Sequence, residues 1–310
     1  MKKVALLYNP LSGSRREQRL ADMKAAVAVL RAAGIEVTAT PTQAPSEASP
    51  QVNQAIAEGC DTVFACGGDG TVHDVLQGLV GTQVSLGIIP LGTANALAHD
   101  LGLPLSAAGA ARAALTATSR RVAVGRATYQ DLSGSAAARY FVVALGAGVD
   151  AALFHQLDPQ VKVRFGMLAY YAQATWLWLT HRMQNFAVEF REANGAMRQA
   201  EVSEVLAVRV RNFGGVLREL APGASLDRDD LRLVLFQTRS RLTYLRYIIR
   251  SMVGARWKIG GVELVHSASL VCRPLPDGGT VYVEADGEIL GTLPAEISMV
   301  PDALTILVPR

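Results

Sequence analysis

Two textures divide the chain. In the first third, short apolar runs alternate with stretches of helical spacing. Val4–Tyr8, Ile35–Thr40, Asp61–Cys66 and Val84–Ile89 read as buried strands. Between the first two, Leu20, Met23, Val27 and Leu30 recur at helical intervals until Gly34 ends the run. Val52–Glu58, Val72–Val80 and Ala94–Leu101 are the other helices expected there. Strand and helix in alternation predict an α/β unit with a mostly parallel sheet.

Past the first 120 residues the pattern becomes that of strands: Arg139–Leu145, Phe186–Arg191, Val202–Arg209, Leu231–Phe236, Glu263–Cys272, Thr280–Glu284, Ile289–Leu293 and Leu304–Val308. Turns such as Asn194-Gly195 and Pro276–Gly279 separate several of them. Helical stretches near 161–181 and 241–256 interrupt this all-β part.

Composition narrows the function classes. Half of the 310 residues are hydrophobic, enough for two cores. A net charge of +3 gives no case for nucleic acid. The three cysteines form no Cys-x-x-Cys pair, so neither a zinc site nor a disulfide framework is expected. Lys2 and Lys3 precede an apolar run that Asn9-Pro10 breaks too early for a signal peptide. Met167–Leu179 is too short to span a bilayer. The expected location is cytoplasmic.

Candidate chemistry gathers in three loops, each following a predicted strand: Asn9–Ser14, Gly67-Gly68-Asp69-Gly70-Thr71 and Pro90–Asn95. Glycine lets backbone N–H groups approach phosphate oxygens, and a following helix N-terminus adds favourable partial charge. In a parallel sheet, loops at the carboxyl ends of strands form the ligand-binding edge. The Walker, protein-kinase and Rossmann fingerprints are missing.

With Gly146-x-Gly-x-Asp-Ala151 and Glu284-x-Asp-Gly-Glu288, these loops occur in the order seen in the diacylglycerol kinase catalytic-domain family, and the chain most resembles its bacterial soluble lipid kinases. The resemblance covers essentially the whole chain. It implies an N-terminal α/β nucleotide-binding domain, 1–122, rejoined by a terminal strand in 300–310, and a C-terminal β-sandwich, 123–299, for the lipid. ATP would lie between the domains. Its contacts, carried over by position, are Asn9, Pro10, Leu11, Ser12, Gly13, Thr42, Gly67, Gly68, Asp69, Gly70, Thr71, Val72, His73 and Thr93, with Lys162 nearby.

The resemblance makes Glu288 the proton acceptor, with Asp69 and Asp286 assisting through Mg2+ or bound water. From the residues alone, Asp286-Gly287 reads first as a hairpin turn. A structural magnesium is implied at Asp229 and the carbonyls of Leu226 and Leu231, and a solvated charged turn is the alternative. Three departures bear on these roles: Asp230 stands where the family has glycine, and Ala96 and Ala123 stand where it often has aspartate.

Residues 237–260 hold six basic residues and no acidic one, interleaved with apolar residues. Arg246 and Arg250, four apart, are expected to share a helix face. Such a helix suits an anionic membrane surface, and a core-packed helix with a solvated basic face is the alternative. Met167–Leu179 is a candidate wall for an acyl chain. The expected partner is a lipid at that surface, with a homodimer left open. The rival functions are an NAD-kinase-like enzyme and a nucleotide- or lipid-binding protein impaired in catalysis.

Overall fold

The computed structural model describes residues 1–10, 16–42, 48–156, 173, 175–192, 195–215, 219–255 and 257–310, without the side chains of 16 and 17. The chain divides into two compact units. One comprises Met1–Val124, Asn212–Gly215 and Val300–Arg310; the other comprises Gly125–Arg211 and Val216–Met299.

In the first unit, β1 (Lys3–Tyr8), β2 (Glu36–Pro41), β3 (Thr62–Gly67) and β4 (Ser85–Pro90) form a parallel sheet in the order β4-β3-β1-β2. Thr305 and Ile306 add a parallel partner on the outer side of β4. Every residue of β3 and β4 is buried, which explains their unbroken apolar runs. Helices α1 (Arg16–Ala32) and α5 (Ala107–Thr116) share one core with Leu6, Phe64 and Cys66. Helices α2 (Ala48–Ala57) and α3 (Asp69–Leu79) pack on each other where Gly78 meets Val52. A short α4 (Ala96–Asp100) follows β4. Asn212 returns to this unit and donates its N–H to Asp100 at 2.9 Å.

The second unit is antiparallel. A run of β7 (Ala144–Gly148), β10 (Glu204–Val208), β11 (Leu231–Phe236), β12 (Val262–Ser267) and β14 (Tyr282–Ala285) is ordered β12-β11-β10-β7-β14. The strands β8 (Phe186–Arg191), β9 (Met197–Val202) and β13 (Ser269–Pro274) pair as β9-β8-β13, and β13 pairs with the long β15 (Glu288–Val308). One core, with Phe141, Phe186, Phe190, Val205, Leu233, Leu270 and Ile297, fills this sandwich. Helices α6 (Val149–Gln156) and α7 (Arg241–Val253) complete the unit.

Several expected elements differ in extent. Arg139–Leu145 is two elements, β6 (Ala136–Phe141) and β7. Val202–Arg209 breaks at Ser203, and Glu263–Cys272 breaks between β12 and β13. Ile289–Leu293 and Leu304–Val308 belong to one 21-residue strand, β15. The strand that the resemblance placed at Arg121–Val124 runs over 13 residues as β5 (Thr118–Gln130), and helices α5 and α6 were not expected. Of the helical stretch near 161–181, residues 173 and 175–180 are described and helical. The cysteines are buried, and burial pushes the Cys66 thiol up to about 12.

Candidate active site

The parallel sheet of the first unit delivers its loops to one edge. Register pairs Tyr8 with both Pro41 and Cys66, and Gly67 with Pro90, so the chain leaves β1, β2, β3 and β4 at the same level. Thr42 then donates both its N–H, at 2.8 Å, and its hydroxyl, at 3.3 Å, to the Tyr8 carbonyl. Thr42 is thereby fixed beside Asn9, at the edge that holds Gly68 and Thr93.

Two loops at this edge touch backbone to backbone. A Cβ on Gly92 would lie 2.4 Å from the Gly68 Cα, so this contact requires glycine. The Asn95 side chain holds the 92–95 turn closed, accepting from the Gly92 N–H and donating to the Gly92 carbonyl, both at 2.9 Å. Asn95 itself sits at φ 50°, a conformation asparagine tolerates. Asp69 accepts the Ala96 N–H on Oδ1 at 2.7 Å and so ties the α3 start to the α4 start. The residue before α3 is Gly68, with no side-chain cap, which leaves the helix N-terminus suited to an anion.

The structure sorts the expected nucleotide contacts. Asn9, Pro10, Thr42, Gly67, Gly68, Asp69, Gly70 and Thr93 all lie at this edge. Thr71 and His73 are buried side chains one step inside it. Val72 is buried too, and its N–H is bonded to the Gly68 carbonyl, so no donor of Val72 points to a ligand. Leu11, Ser12, Gly13 and Lys162 lie outside the described residues.

In the second unit, Asp286 and Gly287 have φ of 52° and 86° and turn β14 into β15. The Asp286 carboxylate points inward. It accepts three consecutive backbone N–H groups: Val142 at 3.1 Å, Val143 at 2.8 Å and Ala144 at 3.1 Å. Its own N–H donates to the Ala144 carbonyl at 2.9 Å. This is an internal anion in an amide nest, so Asp286 acts on the turn, where assistance to a metal had been expected. Glu288, two residues on, is exposed.

Behind the turn lies an acid cluster that the sequence reading missed. Register sets Glu204 opposite Gly148 and Glu284 opposite Gly146, and Asp150 follows β7. The glycines make the room: a Cβ on Gly146 would lie 2.0 Å from an Asp150 oxygen, and one on Gly148 would lie 3.0 Å from a Glu204 oxygen. Glu204 Oε2 accepts from the N–H groups of Val149 at 2.5 Å and Asp150 at 3.1 Å, while its Oε1 is buried without a partner. Glu284 accepts the Gly287 N–H at 2.9 Å. Burial, and then the Asp150 carboxyl, push Glu204 and Glu284 well above the usual carboxylate range; burial also raises Asp150. The available signal was a glutamate inside an apolar strand, Glu204.

The acidic turn at 226–231 holds a cation of its own. The fully buried Arg209 donates to the carbonyl of Arg228 at 2.5 Å and to that of Asp230 at 2.7 Å. Burial lowers this guanidinium to about 10, against the opposing pull of Asp229 and Asp230. Asp230 is paired with Arg228 and His266. Leu226 and Leu231 are buried and Asp229 is exposed. Among the described residues, no three His, Cys, Asp or Glu side chains converge as metal ligands.

On α7 the expected shared basic face does not form. Arg250 is buried, 4.2 Å over the Tyr247 ring, whereas Arg246 is exposed. The outward face is apolar, carrying Leu242, Leu245, Ile249, Met252 and Val253. Of the candidate acyl wall, Trp176 and Leu179 are exposed and Leu177 is buried, and most of the rest lies outside the described residues. No described helix is long and apolar enough to cross a membrane.

A parallel sheet with phosphate-type loops and an antiparallel sandwich in one chain fit a kinase that phosphorylates a hydroxyl. The diacylglycerol kinase catalytic-domain family matches residues 3–127, and the YegS C-terminal NAD kinase beta sandwich-like domain matches 143–308. A diacylglycerol kinase of Mycobacterium tuberculosis (strain ATCC 25618 / H37Rv) is 32% identical over 99% of this chain and 96% of its own. One from Bacillus subtilis (strain 168) is 25% identical over 100% and 97%. The chain therefore belongs to the diacylglycerol kinase family and is a kinase. Among solved structures, a putative diacylglycerol kinase of Bacillus anthracis superposes with TM-score 0.75 at 22% identity, covering 100% of this chain and 96% of that one. Yeast NADH kinase complexed with NADH superposes at 0.53 and 11%, covering 100% and 84%, a likeness of fold alone.

Three predictions follow from this geometry. Gly92→Ala forces the Gly68 and Gly92 backbones apart, with an expected loss of about 1–3 kcal/mol and weaker nucleotide binding; denaturation and calorimetry check it. For Glu204 the folded pKa is raised, so its stability contribution is full below the unfolded value and is lost as pH rises through the folded one. The Glu204 contribution should therefore weaken from acid to neutral pH, so Glu204→Gln should gain Tm relative to wild type as pH rises through that range. Because Arg209 holds the 226–231 turn through the carbonyls of Arg228 and Asp230, Arg209→Met is expected to lower Tm by several degrees, read by thermal denaturation.

Proposed function

We propose that the chain is an ATP-dependent lipid kinase that moves the γ-phosphoryl group onto the hydroxyl of a diacylglycerol-like lipid at a membrane surface. The observation that carries this reading is the loop edge of the first unit, with Gly68 against Gly92 and Asp69 locked to the Ala96 N–H. Such an edge supports binding of a polyphosphate through backbone amides. Family membership supports a lipid acceptor.

Asp69 fits a divalent site in donor chemistry. Magnesium is commonly held by one or two carboxylates with substrate phosphates and water as its other ligands. Bound there, Mg2+ would neutralise charge on the transferring group. The Ala96 N–H fixes the rotamer of Asp69, so one oxygen is oriented before any ligand arrives.

Glu288 is the proposed base. It takes the proton of the lipid hydroxyl as that oxygen bonds to the γ-phosphorus and the bond to the β-γ bridging oxygen breaks, releasing ADP. Its exposure supports access to a substrate, and Asp286 is proposed as the residue that positions it. The NAD-kinase-like alternative has the yeast structural likeness in its favour.

The test is phosphotransfer from labelled ATP to diacylglycerol in mixed micelles, run beside NAD. Transfer to the lipid is expected, and transfer to NAD alone would reverse the reading. Glu288→Gln should lower turnover by about 10²–10⁴-fold with ATP affinity retained. Asp69→Asn should nearly abolish it in a folded protein. A Glu288→Gln variant at the wild-type rate would move the base to Asp69.

A further inference from the structure

The buried arginine of α7 lies over the Tyr247 ring but is short of hydrogen-bond acceptors. Arg250 is 5% exposed, and its Nε and Nη2 have no hydrogen-bond partner. A buried guanidinium left in that state is costly unless something accepts from it. It lines a groove with Arg232, Lys258, Trp257, Glu219 and Gly260. Three cations stand against two acids, Glu219 and Glu263, and the Glu263 carboxylate is already engaged by Arg198 at 2.6 and 2.7 Å, so the groove keeps a positive balance. Arg232 is held in place by donating to the Pro222 carbonyl at 2.7 Å. A second groove shares Trp257 and Lys258 and adds Thr243 and Arg246.

The surface beside these grooves is apolar where water would favour polar groups. Leu242, Leu245, Ile249, Met252, Val253 and Trp257 are 42–63% exposed. Arg241 donates to the carbonyls of Trp178 at 3.1 Å and His181 at 2.8 Å. That bond sets the helical turns 175–180, with exposed Trp176 and Leu179, against the start of α7. An apolar area of this kind marks an interaction surface.

We propose that the groove around Arg250 seats the phosphate of an anionic phospholipid, while the outward face of α7 rests in the hydrocarbon of the same leaflet. Charge selects this occupant over a second copy of the chain. An isologous contact would bring Arg246 and Lys258 towards their own symmetry mates, whereas an anionic leaflet complements them. The apolar face selects it over a free anion, which would leave that face in water. Trp257, common to both grooves, suits the boundary between headgroup and acyl chain. The inference deepens the lipid-kinase reading. It does not require turnover, so binding measured without ATP separates its failure from the failure of that reading.

The experiment is flotation of the full chain with phosphatidylcholine vesicles, with or without phosphatidylglycerol. Wild type should bind the anionic vesicles far better. Ile249→Asp with Met252→Asp, both on the exposed face, should lower that binding at least about tenfold. Lys258→Glu should lower it about fivefold or more on anionic vesicles only. Arg250→Gln should match Lys258→Glu. Should Arg250→Gln fold poorly, the seat is read on the wild type by Trp257 emission, with Trp257→Phe as the blank. Short-chain phosphatidylglycerol should shift that emission and inorganic phosphate should not. Equal binding to both vesicles overturns the proposal, as does an equal response to inorganic phosphate. Wild-type vesicle binding by the surface variants, with a dimer lost in light scattering, would assign the face to a second copy.

Discussion

The Asp286 carboxylate, held by the amides of Val142, Val143 and Ala144, is the contact on which the acidic end of the second unit depends. A carboxylate in an amide nest is a strong, directional anchor, since each bond is charge-assisted. It fixes the β14–β15 turn against the start of β7. With Asp286 turned in, Glu288 is left facing out. The same anchor holds β7 where Glu204 and Glu284 flank it, with glycine opposite each. Two acidic residues of one short segment thus have opposite duties, one internal and one at the surface.

The first unit solves a parallel problem with fewer charges. Its loops must stay open for a phosphate and yet be rigid. The Gly68–Gly92 contact brings two backbones together, the Asn95 amide closes one turn, and Asp69 bridges two helix starts. Ala96, where the family often has aspartate, contributes its N–H to that bridge. Its missing carboxylate therefore does not unmake the loop, and Asp69 gains a fixed orientation from it.

Local pattern made much of this legible. Strand runs buried on both faces, and helices of strict period, gave the parallel unit, and loops after successive strands gave the edge. The failures have physical causes. β15 contains Pro294 and Pro301, which read as breaks, yet pairing along its length carries the strand through them. The acid cluster is non-local: Asp150, Glu204 and Glu284 meet only through the order β10-β7-β14. Periodicity showed that α7 is amphipathic but not which side turns inward. Phe236, stacked on Tyr244 and edge-on to Tyr247, decided that, and Arg250 went inside with them.

That inversion bears on the choice between a lipid and a soluble dinucleotide as acceptor. A likeness to NADH kinase at the level of fold accounts for the parallel sheet and the sandwich. It gives no account of Leu242, Ile249, Met252 and Val253 in water around a buried guanidinium whose Nε and Nη2 lack hydrogen-bond partners. A soluble acceptor has no use for such a face, and leaving these side chains exposed forgoes the transfer free energy of each, about 1.5–3 kcal/mol when fully buried. The proposed membrane-borne acceptor would give the apolar face its medium and the arginine its anion in one step.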